Sequence, residues 1–368
     1  MMKELSVKYL GVKLMLLKYS SRFLLVLVIF VCFCATVSAD TVSVYRRSND
    51  PTTVTTRGQQ GKVVAMSPTE VSLERSANTS KIPVNEIISI RFDEDPPAMA
   101  SIQLAIQTGD YETAEASLSQ INMATITRPY IKQEVEFFKA YISAMKVLVP
   151  GKTPEEISKG AMPMLEFVKQ NGENWHYFEA NSILGDLMVA RGTSDVALNY
   201  YQKLIDSPWP DMQLKGHLAV ANIHLVAGEL AQAKTGFEAI IGHEDKSRET
   251  LRQKSFAQIG LGRTLAKSGE PQQGITAVEE AIKGTTIDDY DLNALAYNAL
   301  GDIHFDAAHK NEALLAYLHV DLLYSKARQE HIKALQKLAI LWNEKGKIDR
   351  ESEVRQTLQT RYGVTVVE

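Results

Sequence analysis

The chain has 368 residues, 45% of them hydrophobic and 23% charged, with a formal net charge of −4. That length accommodates two or three ordinary domains or one elongated repeat array. The composition excludes a disordered, collagen-like or multi-spanning membrane chain, and the acidic balance gives no electrostatic footprint for nucleic acid.

Residues 1–39 differ from the rest. Lys3, Lys8, Lys13, Lys18 and Arg22 face only Glu4, an uncharged run follows from Phe23 to Cys34, and Val37-Ser38-Ala39 closes it with small residues. A basic segment, an apolar segment and an A-x-A-like site together predict a secretory signal peptide cleaved after Ala39, with Met15 an alternative start. The competing reading is an uncleaved membrane anchor, but the apolar run is short against the roughly 20 residues a bilayer span needs. No lipobox precedes Cys32 or Cys34. Removing the leader leaves a net charge of about −8 and no cysteine, because Cys32 and Cys34 are the only two. The expected location is the periplasm or cell envelope, with membrane contact only if the leader is retained.

Residues 40–95 read as a small β module. Val42, Val44, Val63, Val71, Leu73, Ile82, Ile87, Ile90 and Phe92 fall in short clusters separated by turn residues. Val71-Ser72-Leu73 and Ile88-Ser89-Ile90 alternate with the period of a half-buried strand. About five short strands predict a small, strongly bent sheet or partial barrel. Asp93-Glu94-Asp95-Pro96-Pro97 then ends strand pairing, since proline cannot donate to the ladder.

From Met99 to Tyr362 the period becomes helical and recurs. Leu184-Gly185 is followed by Ala197 and Tyr201, Val220-Ala221 by Ala233 and Phe237, Leu261-Gly262 by Gly274 and Val278, and Leu300-Gly301 by Ala313 and Tyr317. Turns at Arg191-Gly192, Gly228-Glu229, Gly269-Glu270 and Gly346-Lys347 divide each unit. Small residues let the two helices of a hairpin approach, and the large residue fills the space against the next unit. One hairpin cannot bury its apolar stripe alone, so the units must stack. Residues 96–177 read as degenerate hairpins and residues 178–368 as regular ones, about six in all.

Residues 178–362 resemble tetratricopeptide repeats, a match carried by the recurring spacing. The segments from Gly61-Lys62-Val63-Val64 to Ile90-Arg91-Phe92-Asp93 resemble the small Sm- or SH3-like β modules that precede helical repeats in exported bacterial proteins. The resemblance implies a mainly α fold: a tetratricopeptide-type α-solenoid after a small all-β module. The family's hallmark tryptophan is absent, with Gln258 and Tyr297 at its position in two units.

Searches for chemistry find none. There is no phosphate loop, no H-E-x-x-H and no nucleophile elbow. Gly260-Leu261-Gly262-Arg263 starts like a dinucleotide fingerprint but lies inside a helical repeat. His304 and His309 are five residues apart, on different helix faces, which suits packing rather than a zinc site. Glu279-Glu280 and Asp288-Asp289 read as solvated charges. No catalytic residue, cofactor or metal is expected, and the chain is read as a non-enzyme.

The concave face that the resemblance implies carries Asp186, Asn222, Phe256, Arg263, Asn298, Asp302 and Phe305 as candidate partner-binding residues. Asparagines suit hydrogen bonding to an extended peptide backbone, and phenylalanines suit apolar side chains. Asp186 and Asp302 stand where chaperone-binding members carry a basic clamp, which favours a positively charged partner. The expected function is a protein–protein interaction scaffold binding a peptide or protein in the solenoid groove. The alternative is an envelope-assembly accessory protein recognising cell-wall or outer-membrane components through the β module; an enzyme site at the junction of the two parts is a third.

Overall fold

In the computed structural model, residues 39–46, 55–76 and 78–364 are described. The leader expected over 1–39, with both cysteines, therefore lies almost wholly outside the described residues. Five antiparallel strands come first: β1 Asp40–Arg46, β2 Thr55–Met66, β3 Glu70–Arg75, β4 Asn78–Pro83 and β5 Ile87–Arg91, in the order β4-β3-β2-β1-β5. Val42, Val71, Leu73, Ile82 and Ile90 alternate onto one buried face. The register shifts between Ser43 and Val44 against β5, and between Val63 and Ala65 against β3. Such bulges bend the strands, which lets the long β2 pair with β1 along its first half and β3 along its second.

Fourteen helices follow as seven hairpins among the described residues, where the sequence suggests about six. They are α1 Ala98–Gln107 with α2 Tyr111–Leu118, α3 Pro129–Val147 with α4 Pro154–Gln170, and α5 Tyr177–Ala190 with α6 Ser194–Ile205. Next come α7 Pro210–Ala227 with α8 Leu230–Ile241, and α9 Arg248–Lys267 with α10 Pro271–Lys283. The last are α11 Tyr290–Asp306 with α12 Lys310–Leu323, and α13 Arg328–Glu344 with α14 Ile348–Tyr362. Local chemistry starts them: Pro129, Pro154, Pro210 and Pro271 occupy first-turn positions, and Thr153 and Glu156 form a reciprocal capping box. Turns inside the hairpins place one residue in the left-handed region. Gly228 does so at φ +79°, while Ala308 holds the same place in the sixth hairpin at φ +60°.

The small residues of the repeat act at short range. Gly301 lies under Tyr317 of its own hairpin, where an added Cβ would stand 2.5 Å from the ring, and Gly185 lies under Tyr201 in the same way. In the fourth hairpin the large residue instead faces forward, with Phe237 on Gly260 of α9. The spacing alone assigns that residue to the next unit; in three hairpins, Val278 over Gly262 included, it fills its own.

The sheet is fastened to the solenoid by a buried carboxylate. Asp40 accepts from the Val63 amide at 2.7 Å, the Asp93 amide at 3.1 Å and both Arg128 Nη atoms at 2.7 and 2.5 Å. Burial alone would raise its pKa; Arg128 and the two amides outweigh this and hold it below the usual carboxylate range. One continuous core then runs from Val42 in β1 to Tyr201 in α6.

The solenoid also closes on itself. Arg328, at the start of α13, donates from Nη1 to the Gly109 carbonyl and Glu112, and from Nη2 to Glu112, all at 3.1 Å. Its guanidinium lies 5.4 Å from the Tyr111 ring and 5.0 Å from that of Tyr362. Val149, between α3 and α4, joins the core of the last two hairpins. Among the described residues no helix is long and apolar enough to cross a membrane.

Two outcomes are expected. Gly301→Ala should overpack Tyr317 and lose about 1–3 kcal/mol in denaturant melts, whereas Gly284→Ala, at a site with ordinary contacts, should stay within about 0.5 kcal/mol. Arg328→Ala should release the first hairpin from the last, seen as a larger radius of gyration in solution scattering and faster amide exchange at residues 109–112. Unchanged scattering and exchange would show that the closure does not depend on Arg328.

Candidate functional site

The inner wall of the closed solenoid is formed largely by the first helix of each hairpin. Two cavities open on it. One, of about 600 Å³, is lined among others by Asp186, Lys215, Asn222, Gln329 and Lys333. The other, of about 370 Å³, is lined by Arg263, Asn298, Asp302, Glu330, Lys333 and Lys337. Lys333 belongs to both, so the two are contiguous.

The seven residues singled out from the sequence divide between these cavities and the core. Asp186 and Asn222 share the larger cavity, and Arg263, Asn298 and Asp302 share the smaller. Neither aromatic candidate is an open seat. Arg252 covers the Phe256 ring at 4.8 Å, and the Lys337 ammonium lies 4.7 Å from the Phe305 ring. Phe256 lines neither of these cavities; it packs against the core of α9–α11. Arg252 is itself held by Asp289 at 2.6 and 2.9 Å.

The polar candidates are partly committed. Asp186 accepts from the Tyr201 hydroxyl and Asp302 from that of Tyr317, each at 2.7 Å. Asp186 still reaches water, but enclosure by the wall raises its pKa, and the Tyr201 hydroxyl opposes the rise. Asn222 donates to the Leu218 carbonyl of its own helix at 3.0 Å. Asn298 is 4% exposed and donates to Glu330 at both the carbonyl and the carboxylate, while its Oδ1 has no donor. A buried acceptor without a partner is costly and therefore informative.

The charge differs from the sequence expectation. Asp186 and Asp302 are engaged by tyrosines, while Lys215, Arg263, Lys333 and Lys337 line the wall. The spacing that placed Arg263 and Asn298 there also applies to the seventh hairpin, which supplies the two lysines of α13. Cationic side chains therefore outnumber the carboxylates Asp186, Asp302 and Glu330 along the wall.

A third cavity, of about 360 Å³, was not legible in the sequence. It lies between β1, β5 and helices α1, α3, α5 and α7. His176 stacks on Phe137 at 3.4 Å between ring centres and bonds Glu179 through Nδ1 at 2.9 Å and Glu134 through Nε2 at 3.3 Å. Trp175 Nε1 donates to Glu134 at 3.2 Å. Burial alone would lower the His176 pKa; the two carboxylates outweigh it and push the value up to about 9. The one available signal was Glu134 on a buried helix face among Ile131, Val135, Phe137 and Phe138. His304, by contrast, is half-buried, and burial lowers its pKa. Among the described residues no group of three or more His, Cys, Asp or Glu is placed to hold a metal ion.

No protein-family model matches the chain. No curated protein matches it by sequence. Among solved structures it is similar to PilW, described as a widely conserved type IV pilus biogenesis factor, at 12% identity over 73% of this chain and 93% of that one, with a TM-score of 0.29. A likeness of that grade bears on neither fold nor function.

His176 titrates near 6.5 unfolded and near 9 in the fold, so its stabilisation is complete below the lower value and lost as pH rises through the upper. Asp95, raised to about 7 by burial and neighbouring Glu134 and Asp40, loses its proton mostly below about pH 8 and so affects only the lower edge of this range. The melting temperature should therefore fall between about pH 6.5 and about pH 9, and His176→Gln should flatten that slope, most clearly above about pH 8. Equal slopes in both proteins would refute the assignment.

Proposed function

We propose that the chain is an exported scaffold of the cell envelope, built on tetratricopeptide-type repeats, which binds a segment of a protein partner along its inner wall and performs no catalysis. In this reading residues 1–39 are a leader, 40–95 the β module, 96–177 the divergent hairpins and 178–368 the regular ones. The observation that carries it is the smaller cavity. Arg263, Lys333 and Lys337 line it together with Asn298, whose unpaired Oδ1 is buried and reaches a backbone N–H only if the side chain turns. Arg263 pairs with no carboxylate among the described residues. An extended segment with an acidic side chain or carboxylate end satisfies both features, because charge-assisted bonds to ionised donors are the strong ones. Glu330 keeps Lys333 and Asn298 oriented: Lys333 Nζ donates to it at 2.6 Å.

Asn298 is buried, so replacing it would confuse folding with binding. Arg263→Glu with Lys337→Glu is the cleaner change, since neither side chain hydrogen-bonds another helix among the described residues and Lys337 gives up only its contact with the Phe305 ring. Affinity capture from envelope extract, read by mass spectrometry, should return a partner set with wild type that the double variant loses at unchanged helicity. Identical sets from both proteins would sink the wall as the binding surface.

A further inference from the structure

The recess under the sheet has its own chemistry. Its walls include Ile88, Phe137, Tyr141 and Trp175, and polar groups among them include Glu134, His176, Glu179 and Lys215. It opens into a wider chamber of about 1010 Å³, and Glu179 and Lys215 line both. An apolar body with a few placed polar groups is the usual form of a small-ligand or side-chain pocket.

The polar side is built rather than incidental. His176 and Glu134 are 4% and 2% exposed, and both fix the position of what lies above them. Glu179 keeps its side chain about half exposed and uses Oε2 for His176, which leaves Oε1 without a hydrogen bond among the described residues. Burial would raise its pKa, but the imidazolium outweighs burial and keeps it ionised. Lys215 makes no hydrogen bond or ion pair at contact distance among the described residues and acts on Glu179 and Asp186 only through space.

We infer that the recess binds a ligand carrying a primary ammonium group next to an apolar side chain, with the side chain among Ile88, Phe137, Tyr141 and Trp175 and the ammonium on Glu179. Lys215 then faces the carbonyl that follows the ammonium carbon. This chemistry is that of an α-amine on a hydrophobic residue, whether a free amino-acid derivative or the N-terminal residue of a chain. A carboxylate in place of the ammonium is disfavoured, since it would sit against Glu179 in a partly dehydrated site. The recess shares Lys215 with the larger wall cavity but no residue with the Asn298 cavity, and neither reading depends on the other.

The test uses the full chain, with phenylalaninamide, N-acetylphenylalaninamide and the tripeptide Phe-Gly-Gly as probes, followed by calorimetry and by Trp175 fluorescence. Phenylalaninamide should bind saturably; acetylating its amine, or changing Glu179→Gln, should each weaken binding by about tenfold or more. Gln107→Trp, an exposed substitution at the mouth, should abolish binding without altering circular dichroism or melting. Arg263→Glu with Lys337→Glu should leave it intact, which separates this site from the wall. Tighter binding of Phe-Gly-Gly assigns the recess to a chain end, and equal binding assigns it to the small amine. The inference is overturned if the acetylated probe binds equally, if Glu179→Gln has no effect, or if neither amine saturates the wild-type protein.

Discussion

A guanidinium placed between two ends of the helical array governs the rest of this molecule. Repeat solenoids are ordinarily open: each hairpin touches its neighbours, and stability is close to a sum of local terms. Here Arg328 joins residues 216 and 219 positions away, bonding Glu112 and the Gly109 carbonyl while its guanidinium lies near Tyr111 and Tyr362. Its Nε is left without a partner inside the protein, so the side chain is oriented by its two terminal nitrogens and by the rings. Because the ends meet, the inner faces of the hairpins enclose a lumen.

Enclosure changes what the inner side chains can do. A carboxylate such as Asp186 touches water but is surrounded by protein, and its pKa rises despite its exposure. Tyr201 and Tyr317 each bond one oxygen of Asp186 and Asp302, and Lys215 still acts on Asp186 through space. The tyrosines have a double duty. Each fills the gap over a glycine, Gly185 or Gly301, and each holds the aspartate that follows that glycine in sequence.

Much of the fold was legible because it is periodic. The offsets from Leu184-Gly185 to Tyr201 and from Leu300-Gly301 to Tyr317 repeat, and five strands separated by turn residues read directly from alternation. The closure was not legible, since nothing local marks Arg328 as paired with Glu112 rather than with solvent. Position rules placed Asp186, Asn222, Arg263, Asn298 and Asp302 on the inner wall, but not their hydrogen bonds, which depend on residues in other helices. Asn298 reads as a free amide and is bound to Glu330; Phe256 and Phe305 read as open rings and are covered by Arg252 and Lys337. The His176 cluster escaped for the same reason: Glu134 and Glu179 lie 45 positions apart and meet only once α3 and α5 are packed.

The sheet has a consequence for the first hairpins that packing alone does not express. A repeat array needs a cover at each end, because its terminal unit has one apolar face and no neighbour. Here that cover is a different kind of structure, a bent sheet clamped by Asp40 and Arg128 and sharing its core with α1 to α6. Hairpins that must fit a sheet on one side and a helix pair on the other cannot keep a sequence tuned for helix pairs on both. The irregular pattern of residues 96–177 is thus the imprint of an adaptor between two architectures, and interchange of repeats has its natural limit where that imprint ends.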